Sequence, residues 1–395
     1  MPLPDTFVQS LQSMHPREVF EEFQRRPLQQ LRSLIEIQNE VRPADLFCYL
    51  GARFGPPNGV QNFLRTDDSD NLIHWDWTLR HDAGVISFMG MNFRTEVHLF
   101  GLDAADDDRS RLIEQLTSDF PNHGSEMGKI RNALEDWTEF VNPYQRIRRS
   151  VERLLIDLDS LNLRADEDPC DPFADKGSPA DTSKHWTELA QRYSRGFGLC
   201  FGIRSMLPVM AEAFVNLLLY VLMRSEIRTD QRLMENVFRQ PIDVRIKSLS
   251  INCTGFKCQP DYSNSACVAY HRLVNERNDL LHGNVAIGKL KFNEVYFWGK
   301  VPVFKKYKSM WQRSLQIEAD SVGMSTIRSE LSTVDALKDY LLSCLEDEVC
   351  EKIRLIVERH ELGFNEPSGK VGVLFPGWLV DMRLGPNVPD QSDTV

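Results

Sequence analysis

Nine histidines are spread along this chain, and His282 closes a run of polar groups, Arg277, Asn278 and Asp279, that precede it within five positions. Residues of these types can cut RNA without a metal. Cleavage by the RNA's own 2′-hydroxyl needs a base to take that proton, an acid for the leaving oxygen and a cation to hold the phosphate as charge builds up. Histidine is the side chain whose ordinary pKa suits the first two tasks near neutral pH. Arginine suits the third, because its fixed charge grips two phosphate oxygens at once. Neither a metal nor a cofactor enters this scheme.

The segment that carries these groups has Val268, Leu273, Val274, Leu280 and Leu281 as an apolar stripe, which predicts a helix over about residues 266–282. Gly283 is the residue type that takes the left-handed conformation just past a helix end. Five residues turn a helix by about 500°, so Arg277 and His282 do not share a face. Asn278 and Asp279, four and three residues before His282, do lie beside it and would orient its ring. One Arg and one His are a thin set, and two copies facing each other across a dimer would complete it. The competing reading is a basic pair near a helix C-terminus, favoured there by the helix dipole and pointing into solvent.

The run Arg277-Asn278-Asp279-Leu280-Leu281-His282-Gly283 resembles the motif of the HEPN superfamily, in which an Arg, a polar residue and a His end a core helix. Glu212-Ala213-Phe214-Val215-Asn216, on a long apolar helix, is similar to the first core helix of many HEPN domains. The resemblance implies a four- or five-helix domain over about 184–362, a homodimer and metal-independent endoribonuclease activity, often in toxin or antiviral defence systems. By the same resemblance Arg277 and His282 are catalytic and Asn278 supports them. Many relatives have lost the motif and serve as RNA- or protein-binding modules, which is the alternative expectation. A third is a toxin released from a regulatory protein partner. A second pair, Arg354 and His360, lacks the polar residue after the Arg and the glycine after the His.

Downstream of the motif, Lys289, Lys291, Lys300, Lys305, Lys306, Lys308 and Arg313 interleave with Phe292, Tyr296, Phe297, Trp298, Phe304, Tyr307 and Trp311, and Glu294 is the one acid among them. Cations beside aromatic faces are what single-stranded RNA binding uses. Lys300, Lys305, Lys306, Lys308, Tyr307 and Trp298 are the expected RNA contacts. The equal alternative is a β-hairpin whose aromatics pack on the core while its lysines stand in water. Glu212 and Asn216 lie four apart on one helix face. They would either line the groove of His282 or tie neighbouring helices together as a buried polar pair. Cys253, Cys258 and Cys267 with His271 have spacings unlike the close pairs of structural zinc sites, so no metal is expected. His74 and Asp76 alternate with Trp75 and Trp77, as on a strand with one polar and one apolar face.

The elements that must position these groups are those of an ordinary folded protein of mainly α, overall α+β, class. At 395 residues the chain predicts two domains, and a net charge of −11 confines any RNA contact to a local patch. Eight cysteines without a secretory signal fit a reduced, cytoplasmic protein. The apolar stretch 206–223 contains Pro208, Glu212 and Asn216 and reads as a buried core helix, with no membrane segment expected. An N-terminal α+β domain is expected over 1–165, with a helix from Pro16 to about Val41 and an antiparallel meander between Leu72 and Phe100. A linker at 166–183 leads into the helical domain at 184–362, which carries a β insert at 292–308 around Gly299. Residues 363–395 read as a loosely held Pro/Gly-rich tail.

Overall fold

The computed structural model describes residues 3–25, 31–64, 69, 71–105, 107–166, 178–282, 293–359, 361–365, 368–375 and 381–382. The chain divides into two compact units. The first comprises Met1–Glu139, Gly363–Ser368 and Val373–Val395, and the second Phe140–Leu362 and Gly369–Gly372.

In the first unit the strands β1 (Gln12–Ser13), β2 (Leu31–Ile37), β3 (Ile73–His81), β4 (Gly84–Met91) and β5 (Thr95–Phe100) form one sheet of order β1-β3-β4-β5-β2. Its paired strands run antiparallel, as the meander predicts. Strand alternation sends Trp77, Leu79, Ile86, Phe88, Val97 and Leu99 into a core shared with Leu46, Tyr49, Leu112 and Leu116. These last four come from the helices α2 (Pro43–Phe54) and α4 (Asp108–Ala133), which pack on each other. Two short helices, α1 (Pro16–Arg25) and α3 (Gln61–Leu64), complete the described helices of this unit.

The opposite set of strand residues is polar yet buried. Asp76, Thr78, Ser87, Glu96 and His98 are each exposed by 2 % or less. Asn58 supplies the ladder that the two-residue β1 cannot: its side chain accepts from Thr78 N and donates to Thr78 O, both at 2.8 Å. Asn62 does the same for Asp76, at 3.2 and 2.7 Å. Glu96 binds His98 Nε2 at 2.8 Å and Arg94, which also pairs with Asp381. Burial works to raise the Glu96 carboxyl, but these partners outweigh it and hold it below its usual range.

Two expectations for this region are corrected. Residues 31–37 form the edge strand β2 instead of continuing a helix to Val41, because Ile35 and Ile37 alternate into the core while the backbone pairs with β5. The tail from 363 is structured in part: β9 (Glu361–Asn365) and β10 (Lys370–Phe375) form a three-stranded sheet with β6 (Thr138–Val141), and Arg94 holds Asp381 and Met382.

The second unit is built around α6 (Pro179–Leu222), 44 residues long. Its apolar stretch is a core helix: Leu207, Met210, Phe214, Val215, Leu217, Leu218 and Leu219 are exposed by 1 % or less. It is also the one helix among the described residues that is long and apolar enough to cross a membrane. α6 starts inside the expected linker, where Ser178 caps it by accepting from Asp181 N at 3.3 Å and Pro179 takes the first turn. α5 (Pro143–Ser160) packs along α6 and belongs to this unit, so the chain changes unit before the expected boundary at 165. Its buried Tyr144, Val151 and Leu155 find their partners here.

After α6 come the short helices α7 (Ser225–Arg228), α8 (Gln231–Arg239), α9 (Ile242–Lys247) and α10 (Leu249–Asn252), and Pro241 separates α8 from α9. α11 (Ser265–His282) is followed by the hairpin strands β7 (Val295–Trp298) and β8 (Val301–Phe304). The helices α12 (Met310–Arg313), α13 (Leu315–Ser321), α14 (Ile327–Ser343) and α15 (Asp347–Glu358) end the unit. α11 and α14 both pack on α6 and on each other.

Candidate functional site

α11 runs to His282, so the expected motif occupies the last turns of a helix. Gly283 and the side chain of His282 lie outside the described residues. What anchors this helix is an ion-pair node one residue before the motif. Arg204 of α6 reaches Glu276 of α11 at 2.7 Å and Glu330 of α14 at 2.9 Å, and Thr326 donates to Glu330 at 2.7 Å. Three helices are thus tied through one guanidinium, which suits a group able to serve two carboxylates at once.

With Glu276 engaged by Arg204, the acid next to Arg277 in sequence is already paired. Arg277 itself is half-buried, and its Nε is shielded from solvent with no hydrogen-bond partner among the described residues. Asn278 and Asp279 are half-buried on the same turn. Arg277 also acts electrostatically on Tyr270, seven residues earlier and therefore on the same helix face. Burial pushes the Tyr270 phenol up and Glu212 and Tyr262 add to this, while the charges of Arg245 and Arg277 work against it. The phenol is buried and donates to the carbonyl of Pro208 at 3.4 Å.

Glu212 and Asn216 share a face of α6, and what they meet is Arg245 of α9. The guanidinium donates to Glu212 at 3.0 Å and to Asn216 at 2.5 Å. Of the two readings of this pair, the polar link between neighbouring helices is the one the contacts describe. Arg245 and Tyr270, neither of them an expected site residue, join Glu212, Asn216 and Arg277 in one neighbourhood. Tyr270 had a signal, its spacing of seven from Arg277; Arg245 and Arg204 had none, since their partners are distant in sequence.

No protein family, curated protein or solved structure matches this chain. The HEPN resemblance rests on the residues quoted above.

The hairpin that follows α11 departs from the packed alternative. Trp298 is 83 % exposed and Tyr307 91 %, with Tyr296 and Phe297 also exposed. Gly299 makes the connection, with φ +60°, while Lys300 keeps a negative φ, so the two-residue loop is of the II′ type that suits twisted strands. Lys300, Lys306 and Lys308 are exposed, and Lys305 pairs with Glu294. Arg313 covers the Phe304 ring at 4.7 Å, and Trp311 is the buried member of the set, against Tyr193 at 4.7 Å. Lys289, Lys291 and Phe292 lie outside the described residues.

Cys253 is buried with its Sγ against the Leu218 carbonyl, while His271 bonds Tyr262 at 3.2 Å. Arg354 is exposed on α15, and His360 lies outside the described residues.

Proposed function

We propose that the second unit is a metal-independent endoribonuclease of HEPN type that cleaves single-stranded RNA through attack of the 2′-hydroxyl. Arg277 holds the scissile phosphate, His282 moves the proton, and Asn278 and Asp279 orient the imidazole. The observation that carries this reading is the donor of Arg277 left without a partner on the motif helix. A half-buried arginine whose Nε–H lacks an acceptor and whose neighbouring acid is engaged elsewhere calls for an anionic partner, and phosphate suits a guanidinium. Two copies complete the site, one histidine serving as base and the other as acid. The first unit restrains or targets this activity, with a regulatory protein as its partner, in a cytoplasmic toxin or antiviral setting.

The protein, incubated with single-stranded RNA in EDTA, is expected to give products ending in a 2′,3′-cyclic phosphate. His282→Ala and Arg277→Ala should each slow cleavage by a factor on the order of 10²–10⁴. Equal cutting by all three proteins, or none by the unsubstituted one, sinks the assignment.

A second reading, an RNA-binding module without turnover, is favoured by the hairpin. Two strands standing alone are marginally stable, and this pair shows large aromatic surfaces to solvent. RNA retained by a protein that leaves it intact is the outcome that selects this reading.

A further inference from the structure

We propose that Cys258 and Cys344 are a modification site: an oxidant of the peroxide class joins them in a reversible disulfide. Cys258 is exposed and Cys344 is buried. The loop that carries Cys258 lies along the chain between α14 and α15 as a short antiparallel pair, with Phe256 opposite Leu345. Glu346 N donates to Gly255 O at 2.9 Å. The chain then bends, so that Lys257 N and Cys258 N both reach the one carbonyl of Cys344, at 2.9 and 3.4 Å. A disulfide needs Cα atoms roughly 4.4–6.8 Å apart, and these backbone bonds set Cys258 beside Cys344 on adjacent chains. The Cys258 thiol lies near enough to act on the titration of Cys344.

The bend depends on Gly255, whose φ is +78° and whose absent Cβ would sit 2.9 Å from a methyl of Val349. Tyr340 holds the far side of the same loop, accepting from Asp261 N at 2.6 Å and donating to Asp261 O at 3.2 Å. The loop is thereby held against the segment that carries Cys344.

Their environments assign the order of events. Burial above all, with the neighbouring Cys258, pushes the Cys344 thiol up to about 11, and the exposed Cys258 meets the oxidant first. The Cys258 thiolate attacks hydrogen peroxide: an S–O bond forms, the O–O bond breaks, and hydroxide leaves as water with the thiol's proton. The Cys344 sulfur then attacks the sulfenic acid: the S–S bond forms, the S–O bond breaks, and the second water carries away the Cys344 proton. Two thiols lose two electrons, and one peroxide becomes two waters. A dithiol reverses the step. The bond fastens the loop ahead of α11 to the end of α14, and Asn264 of that loop accepts from Ala266 N at the start of α11. The inference is independent of the RNA chemistry.

The test is peptide mapping under non-reducing conditions after treatment of the full chain with stoichiometric hydrogen peroxide and alkylation of the remaining thiols. The expected product is a peptide pair linked through Cys258 and Cys344, absent from Cys258→Ser and lost on dithiothreitol treatment, which restores both cysteines to alkylation. Cys258→Ser replaces a surface thiol and so keeps the fold. Oxidation that leaves Cys344 alkylatable, with Cys258 found as sulfinic acid or linked to Cys267, Cys350 or a second chain, overturns the proposal.

Discussion

Asp76 is a single residue whose surroundings predict how the first unit responds to pH. It is 1 % exposed; its Oδ2 accepts from Gln61 N at 3.2 Å, and its Oδ1 has no partner among the described residues. Burial pushes its carboxyl up to about 6, against the opposing pull of the Gln61 N–H and the charge of His98. The folded carboxyl therefore holds its proton more tightly than the unfolded one. That contribution to stability is complete below the unfolded pKa and is lost as pH rises through 6. Thermal unfolding, followed through the tryptophans of β3, should show a higher Tm at about pH 5 than at about pH 7.5. Asp76→Asn should remove this difference and stabilise the unit at the higher pH by roughly 2–3 kcal/mol. A variant that melts like the unsubstituted protein at both pH values would count against a strained carboxylate. The sequence signalled only half of this residue: alternation with Trp75 and Trp77 placed Asp76 on a polar strand face, but the loop carrying Asn58 and Asn62 that buries it is a tertiary event.

The elements divide by how local their determinants are. The extent of α11 was legible because its apolar and polar residues lie within one segment, but its buried face is Cys267, Tyr270 and Leu273, and Val268 and Leu281 of the expected stripe are exposed. The hairpin turn was legible from Gly299 for the same reason. The helix expected through residues 31–37 was not formed, because an apolar segment this short fits either period and pairing with β5 decides it. Least legible was the hairpin's surface, since nothing in β7 or β8 says whether a core lies beneath the rings. Their exposure makes the hairpin testable as an RNA platform. Trp298→Ala and Tyr307→Ala should each weaken binding of a labelled single-stranded RNA by a factor of about 5–150, the usual worth of one stacked base. Fluorescence anisotropy reads this, and circular dichroism should stay unchanged, because both rings stand in solvent. Affinity unmoved by either substitution would remove the hairpin from the RNA site. Trp311 is no substitute as a probe, being packed on Tyr193.

At the scale of the whole molecule, the division into two units was anticipated but its position was not. The Asp-, Pro- and Ser-rich stretch suggested a linker, whereas the unit boundary follows the packing of α5 on α6, which composition does not encode. Net charge is the property of the whole chain that bears most directly on RNA. At −11 the chain as a whole repels a polyanion, so under the proposed function RNA binding would fall to the cations of the hairpin and to Arg277. The number of phosphates engaged is then small, and the salt dependence counts them. With about four cations on single-stranded RNA, the slope of log K against log salt should be near −3. Lys306→Ala and Lys308→Ala should each flatten it by about 0.7. Lys305→Ala should flatten it less than Lys306→Ala does, because the charge of Lys305 is already met by Glu294. A slope of about −7 would mean a broad cationic surface in place of the hairpin, and a slope near zero would mean that the lysines take no part.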